Sequence, residues 1–171
     1  MSQGPGNPKG SSKTAYTQQQ AKVKVSRYCA YQERSHHEVR QKLASMGFYG
    51  DEAEGVIADL IAEGFINEER FARAYVGGKF RVKKWGRHKI LQGLKQHRIS
   101  AYCVKAGMKE IDPEVYWDTL LQLTRQRWDK ERKGTEWERS QKVARYLLGR
   151  GYEQDLIWEA IKEVQAAEGS E

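Results

Sequence analysis

The sequence has little of what membrane, secreted or fibrous proteins need. Its 171 residues include two cysteines, Cys29 and Cys103, and three prolines. No apolar run approaches the roughly 18 residues of a membrane span, and the first residues have no apolar core of a secretion signal. Two cysteines without such a signal do not make a disulfide scaffold. Because 11% of the residues are aromatic, collagen-like and fully disordered chains are excluded as well. We expect a soluble cytoplasmic protein.

The sequence also lacks the patterns of common catalytic and cofactor sites. Gly77-Gly78-Lys79 does not have the spacing of a phosphate-binding loop. His36-His37, close to Cys29, does not match the common zinc spacings. The acidic pair Glu68-Glu69 lies where a helix N-terminus favours negative charge. We therefore expect no enzyme, no metal ion and no cofactor, and we expect both cysteines to fill small core positions.

Signals for helix N-termini recur along the chain. The segments Ser35–Glu38 and Thr135–Glu138 match the capping box, in which a hydroxyl and a carboxylate bind free backbone N–H groups. Asp112 precedes Pro113, a residue suited to the first helical position. Further candidate caps are Asn67, Ser100 and Asp51 with Glu54. No alternating run of strand length is present, so the predicted fold class is all-α.

The helix starts repeat at intervals of about 50 residues, which predicts three tandem three-helix units. The second helix of each unit ends alike, in Leu43-x3-Gly47-Phe48, Leu94-x3-Arg98-Ile99 and Leu147-x3-Gly151-Tyr152. The predicted organisation is a disordered tail (1–14), three helix-turn-helix-like repeats (15–66, 67–111 and 112–165) and a frayed C-terminus (166–171). We expect neighbouring repeats to share contacts in an elongated, curved array, because one unit of this size is barely able to fold alone.

Positive charge is concentrated in the middle repeat. The whole chain carries a net charge of +7, whereas residues 67–98 hold ten basic and two acidic side chains, a net charge of +8. A concentration of this kind suits a polyanion or an acidic protein surface. A merely solubilising face is the alternative.

The first helix of that repeat is predicted to run from Asn67 to about Trp85. At 100° per residue one side forms a core stripe of Phe71, Ala74, Tyr75, Gly78 and Val82. The adjacent arc contains Arg70, Arg73, Arg81 and Lys84, with Phe80 beside them. Phe80 is expected either to stack on a nucleobase or to pack between repeats. The charges suit DNA phosphates and acidic protein grooves equally well.

The segment Gly64–Ala72, GFINEERFA, resembles the signature of the RecX family of recombinase regulators. A basic stretch follows it, then Gly86-x3-Ile90-x3-Leu94-x4-Ile99, and a similar pattern lies in Lys142-x3-Tyr146-Leu147-x2-Arg150-Gly151-Tyr152. The resemblance covers about residues 18–164. It departs from the family at Arg98, where a glycine is usual, which bears on the local turn.

The resemblance implies both a fold and a function. The fold would be tandem three-helix repeats, as the period predicts independently. The function would be non-enzymatic: negative regulation of the RecA recombinase in homologous recombination, DNA repair and the SOS response. Such a protein binds in the groove of the RecA–single-stranded DNA filament and inhibits its ATPase, strand-exchange and co-protease activities.

Joined to the charge pattern, the resemblance predicts the residues of the contact. Eight cations are expected to face the filament: Arg70, Arg73, Lys79, Arg81, Lys83, Lys84, Arg87 and Lys89. Seven motif residues are expected to pack between helices: Gly64, Phe65, Ile66, Phe71, Gly86, Ile90 and Leu94. Arg70 also suits a local ion pair, given its place in the first turn of a helix. We expect a monomer that binds DNA directly only weakly and does not bind membranes.

A helix-turn-helix-like protein that acts directly on nucleic acid is the alternative function. Such proteins concentrate Arg, Asn and Gln on one exposed face of a second or third helix. The nearest approach in this sequence is Lys89, Gln92, Lys95 and Gln96. This pattern favours the regulator over the sequence-specific DNA-binding protein.

Overall fold

A computed structural model of the chain describes residues 15–169, and in this range all regular structure is α-helical. The helices are α1 (Gln18–Tyr31), α2 (His36–Ser45), α3 (Gly50–Ala62), α4 (Glu68–Arg81), α5 (Arg87–Gln96), α6 (Ala101–Met108), α7 (Pro113–Lys130), α8 (Glu136–Gly149) and α9 (Gln154–Glu168). They form three three-helix units in chain order. No helix of residues 15–169 is long and apolar enough to cross a membrane. The tail predicted for residues 1–14 lies outside the described residues.

Most of the predicted helix starts are confirmed. Ser35 and Thr135 form complete capping boxes, and Asn67, Ser100 and Asp112 accept hydrogen bonds from backbone N–H groups of the following turn. A helix does begin near Asp51, but the cap predicted at Asp51 is wrong. Helix α3 begins at Gly50 after Tyr49, which provides no side-chain cap. Glu54 cannot complete a capping box there because its carboxylate binds Arg40, with Oε1 2.5 Å from Nε.

The second helices of the three repeats end in the same turn, as the sequence alignment predicts. In each repeat the backbone N–H five residues after the leucine donates to the leucine carbonyl: Phe48 to Leu43 (3.0 Å), Ile99 to Leu94 (3.2 Å) and Tyr152 to Leu147 (3.2 Å). This is the Schellman arrangement, which needs a residue with positive φ just before the last one. That residue is Gly47 (φ 90°), Arg98 (φ 56°) or Gly151 (φ 93°). Arg98 therefore keeps the turn without the usual glycine.

The apolar side chains form two cores. The first repeat has a core of its own, built on Ala21, Val25, Val39, Leu43, Val56, Ile57, Leu60 and Ile66. The second and third repeats share one continuous core, which includes Phe71, Val76, Ile90, Leu94, Tyr116, Leu120, Trp128, Val143, Leu147, Tyr152, Ile157 and Ile161. Cys29 belongs to the first core and Cys103 to the shared core, both as free thiols. Repeats 2 and 3 thus share a single hydrophobic core.

Helix α4 is rotated relative to the prediction and is shorter. It ends at Arg81, Ala74 is exposed, and Val82 is 76% exposed beyond its end, so these two do not belong to the core stripe. The buried residues are Phe71, Ala72, Val76, Gly77 and Phe80. The rotation follows from the close crossing of α4 and α6. At this crossing Gly107 lies so near the backbone of Ala72 that a Cβ atom on Gly107 would overlap it.

Phe80 packs between repeats. Its ring is 3% exposed and lies with its centroid 5.7 Å from that of Tyr116 in α7. Stacking on a nucleobase, one of the two expectations for this ring, is therefore wrong. The buried position results from the same rotation of α4, which turns Phe80 inward.

The junction between repeats 2 and 3 is made by backbone atoms. The N–H groups of Gly86 and His88, at the start of α5, donate to the carbonyls of Arg150 (2.8 Å) and Gly151 (2.9 Å) at the end of α8. These carbonyls supply the N-terminal cap that Gly86 has no side chain to provide. A Cβ atom on Gly86 would overlap the backbone of Gly151 and Tyr152. The two repeats therefore meet in fixed register.

The junction between repeats 1 and 2 is formed by the equivalent helix ends. Its contacts are made by side chains instead of backbone atoms. Ser35, at the start of α2, has its Oγ 3.0 Å from Nδ1 of His97, at the end of α5. The same His97 nitrogen lies 3.9 Å from the Glu38 carboxylate. Its ring packs against Phe71 and Tyr75, with centroid distances of 4.9 and 5.4 Å. In both junctions the start of a second helix meets the end of the next repeat's second helix.

Helix α9 continues into the segment predicted to fray. It ends at Glu168, three residues into 166–171. The Glu168 carboxylate accepts hydrogen bonds from Trp128 Nε1 (2.8 Å) and from Arg139 Nη1 (3.2 Å). These bonds to α7 and α8 hold the last turn of α9 in place. The periodicity of the sequence does not indicate such contacts between distant residues.

Candidate partner-binding surface

Three of the eight predicted contact residues are already paired within the molecule. Arg70 Nε lies 2.5 Å from Glu33 Oε1 of the first repeat, and its Nη2 donates to the Gly64 carbonyl. Arg73 binds both Glu69 (2.9 Å) and Glu110 (3.1 Å), which ties α4 to the end of α6. In these pairs the positive charge is neutralised by a neighbouring carboxylate.

Arg87 is the third, and it belongs to the junction of repeats 2 and 3. Its Nη1 donates to Glu153 (3.1 Å), and its guanidinium lies 3.8 Å from the centroid of the Tyr116 ring. The Tyr116 hydroxyl donates to Glu153 (2.5 Å) and accepts from the Arg87 N–H (3.0 Å). Burial and the Glu153 carboxylate raise the pKa of Tyr116 far above its ordinary value, so this hydroxyl keeps its proton. Arg87 therefore orients the repeats.

The other five predicted residues have no carboxylate partner among residues 15–169. They are Lys79, Arg81, Lys83, Lys84 and Lys89, and we call them the open cations. Arg81, Lys83 and Lys84 are exposed at the end of α4 and in the loop to α5. The ammonium groups of Lys79 and Lys89 lie 4.8 and 4.6 Å from the centroid of Trp85. Trp85 thus joins two of the five cations and is not a free stacking platform.

Arg150 of the third repeat joins the open cations, although the sequence did not predict it as a contact residue. Its guanidinium donates to the Lys83 carbonyl, and its Cζ lies 5.7 Å from the centroid of Tyr146. Lys89 reaches the Gly149 carbonyl beside it at 3.4 Å. The aligned second-helix ends marked the position of Arg150. Only the packing of repeat 3 on the loop after α4 brings its charge to this surface.

The seven motif residues are distributed over both cores and their turns. Ile66 lies in the first core with the half-buried Phe65 against it, while Phe71, Ile90 and Leu94 lie in the shared core. Gly64 turns the chain with a φ of 78°, and Gly86 lies in the junction described above. Each motif residue thus occupies a packing or turning position.

The surface has the chemistry of an anion-binding face. The open cations with Arg150 provide ammonium and guanidinium donors that no carboxylate of residues 15–169 neutralises, which favours a partner of opposite charge. The acidic pair before them is used locally: Glu68 accepts from the Ser100 hydroxyl (3.0 Å), and Glu69 binds Arg73. No group of three or more metal-ligating side chains occurs among residues 15–169.

Models of known protein families match all three repeats. They describe the first, second and third three-helix domains of RecX and match residues 21–60, 67–108 and 114–161 in that order. Together these matches span well over half of the chain.

Curated relatives and solved structures agree with these models. The chain is 32% identical over 120 residues to the regulatory protein RecX of Clostridium perfringens (69% of this chain, 56% of that protein). It is 33% identical over 104 residues to that of Serratia proteamaculans (61% of this chain, 60% of that protein). The crystal structure of RecX from Lactobacillus salivarius is similar in fold, with a TM-score of 0.78 at 21% identity over 87% of this chain and 97% of that one.

The chain spans only about half to three fifths of the length of the curated relatives it matches. All three helical domains nevertheless fall within this span, in the same order and in a similar fold. The chain belongs to the RecX family of regulatory proteins.

Proposed function

We propose that this protein is a non-enzymatic negative regulator of the RecA recombinase that binds in the groove of the RecA–single-stranded DNA filament. The observation that carries the proposal is the set of open cations, completed by Arg150 across a fixed junction. Membership of the RecX family supports the choice of partner. We propose that the protein acts in the cytoplasm, in homologous recombination, DNA repair and the SOS response.

The junction between repeats 2 and 3 fixes the positions of the cations on the binding surface. Because repeats 2 and 3 share a core and are joined by backbone hydrogen bonds, cations from both repeats are held in one arrangement. Such a face can bind acidic side chains of adjacent recombinase protomers or the phosphates of the enclosed DNA. Simultaneous contacts with several protomers raise the affinity beyond that of any single contact.

Inhibition follows from this bridging. A rigid array bound to neighbouring protomers opposes the movements between them that accompany ATP turnover. It also fills the groove that a second DNA strand or a protein substrate must enter. One bound molecule is therefore expected to reduce ATPase, strand-exchange and co-protease activities together.

Arg70, Arg73 and Arg87 have a different role in this proposal. Their carboxylate partners lie within the protein, so binding a filament through them would first require breaking ion pairs. We propose that they position the helices and repeats, while the open cations and Arg150 make the contact. Of the eight contact residues predicted from the sequence, the proposal therefore keeps the five open cations.

The proposal is tested by following ATP hydrolysis of RecA filaments on single-stranded DNA while the protein is added. We expect hydrolysis to fall to a plateau as the protein saturates the filament. Unchanged hydrolysis at saturation contradicts the proposal. Tight binding to one duplex sequence without any filament effect would instead indicate the helix-turn-helix-like alternative.

A further inference from the structure

Residues 15–169 contain two non-glycine residues with positive φ, and both are basic. Lys84 (φ 55°) follows the end of α4, and Arg98 (φ 56°) follows the end of α5. Both side chains are exposed on repeat 2. At positive φ the side chain of an L-residue crowds its own backbone, so glycine, and less often asparagine or aspartate, is usual there.

The turn at Arg98 does not need a long side chain in order to fold. The equivalent turns of repeats 1 and 3 contain Gly47 and Gly151 and close with the same backbone hydrogen bond. The side chains of Arg98 and Lys84 form no hydrogen bond or ion pair with other residues of 15–169. The strain at positive φ costs more than an exposed cation gains from the partial negative charge at a helix C-terminus. Folding alone therefore does not account for an arginine at this position.

A row of neighbouring side chains connects Arg98 with the open cations. His97, the residue before Arg98, has its ring centroid 5.4 Å from that of Tyr75. The Lys79 ammonium lies 5.3 Å from the centroid of Tyr75 and 4.8 Å from that of Trp85, in the loop before α5. The row therefore runs along α5 from the loop before it to its end, a length of about 15 Å.

The surroundings of Arg98 favour a protein carboxylate over DNA as its partner. An open cavity of about 340 Å³ is lined by His97 and Lys79 but also by Glu33 and Glu38 of repeat 1. A DNA strand carries a negative charge at every nucleotide, so the two glutamates would repel it along this part of the surface. A protein surface can place a single carboxylate at Arg98 and basic or neutral groups at the glutamates.

We infer that Arg98 is a further contact residue of the filament-binding surface and pairs with a carboxylate of a recombinase protomer. The inference rests on the proposed function and adds to it a residue that the sequence did not predict as a contact. Arg98 extends the surface of the open cations across repeat 2 to the junction with repeat 1. Backbone strain of this kind clusters at ligand-binding sites, where the strained residue is retained for the contact that it makes.

Stability and inhibition should change in opposite directions in Arg98→Gly. Relief of the strain should raise the midpoint of urea unfolding. Loss of the guanidinium should raise the protein concentration needed to inhibit RecA filament ATPase about threefold to tenfold. Arg98→Lys keeps both the charge and the strain, so it should recover most of the inhibition without the gain in stability. A variant that merely lost its fold would be impaired in both measurements.

A matched control is Lys109→Gly, directly after the end of α6. Lys109 is also an exposed cation at a helix end, but its φ is −66°, so it carries no such strain. The control should gain no stability, and it should inhibit the filament ATPase like the unmodified protein. A loss of inhibition in the control equal to that in Arg98→Gly would assign the effect to net charge and overturn the inference.

Binding to bare single-stranded DNA, measured by fluorescence anisotropy, separates the two kinds of partner. Arg98→Gly should bind bare DNA as the unmodified protein does, and an affinity lower by the same factor as inhibition would overturn the assignment to a recombinase carboxylate. Inhibition by Arg98→Gly equal to that by the unmodified protein overturns the inference alone. If the unmodified protein does not inhibit the filament at all, the proposed function fails as well.

Discussion

Arg98 occupies a backbone conformation that favours glycine. Its φ is 56°, and the equivalent turn residues in the other repeats are Gly47 and Gly151. A non-glycine residue in this region costs roughly 1–2 kcal/mol. The exposed side chain forms no hydrogen bond or ion pair with the other residues of 15–169 that would offset the strain. Repeat 2 therefore keeps the family turn at a cost in stability.

Arg98→Gly should stabilise the protein by about 1 kcal/mol, once the greater freedom of glycine in the unfolded chain is included. Urea unfolding followed by circular dichroism measures the change. Arg98→Ala is the control, because it removes the charge but keeps the Cβ atom. An equal increase in the free energy of unfolding of Arg98→Ala would mean that loss of the charge causes the effect. It would contradict the explanation by backbone strain.

His97 makes the first junction sensitive to pH. Partial burial lowers its pKa below the ordinary 6.5, against the attraction of Glu38 and with smaller repulsion from His37 and Lys79. The Ser35 hydroxyl receives a hydrogen bond from the Glu38 N–H, so its proton is free to be donated to the neutral Nδ1 of His97. Protonation of His97 removes that acceptor.

The free energy of unfolding should therefore fall as the pH is lowered from about 7.5 to about 5.5. With the folded pKa lowered, the unfolded chain binds more protons in this window, and stability is lost on acidification. Urea unfolding at the two pH values measures this difference in the free energy of unfolding. In His97→Gln the drop should be smaller, and an unchanged drop would assign the pH dependence to other groups.

At the scale of the helices, the start of α5 depends on the end of α8. Gly86 has no side chain to cap the helix, and the backbone carbonyls of repeat 3 take that role. Because the contact is between two backbones, a side chain on Gly86 has no flexible neighbour to displace. The start of α5 and the end of α8 are therefore packed backbone against backbone.

Gly86→Ala should destabilise the protein by about 2 kcal/mol, as overpacking against a rigid backbone does. Gly78→Ala in α4 is the matched control, since a Cβ atom there meets open space and should slightly stabilise the helix. Urea unfolding of both variants provides the comparison. A Gly86→Ala protein as stable as the unmodified one would mean that the junction is not close-packed in solution.

Helix positions were largely predictable from the sequence, and their orientation was not. Caps such as Ser35, Asn67 and Asp112 act through residues two or three positions away, so local sequence determines them. The inward face of α4 depends on its crossing with α6 at Gly107, a contact distant in sequence. For this reason the sequence pattern places Val82 in the core stripe and Phe80 beside the basic arc, whereas in the structure Val82 is exposed and Phe80 is buried.

At the scale of the whole molecule, the predicted cations divide into two groups that composition cannot separate. Arg73 and Lys83 contribute equally to a charge count, but Arg73 lies between Glu69 and Glu110, whereas Lys83 is exposed without such a partner in residues 15–169. Arg150, from a repeat of net negative charge, joins the surface through tertiary packing. The contact surface is thus a property of the assembled repeats.

We propose that the open cations make the contact with the filament. The double substitution Arg81→Glu with Lys84→Glu reverses two of them, and both side chains are exposed, so the helices should be unaffected. The control is Lys105→Glu on α6 with Lys109→Glu directly after its end, which makes the same change in net charge in the same repeat, on exposed lysines outside the surface.

The most direct test measures the protein concentration needed to inhibit RecA filament ATPase for these two variants, at low and at physiological salt. We predict at least a tenfold higher concentration for Arg81→Glu with Lys84→Glu, and a weaker dependence on salt, because two charge contacts are lost. The control variant should inhibit like the unmodified protein. Equal inhibition by both variants at both salt concentrations would contradict the assignment of this surface.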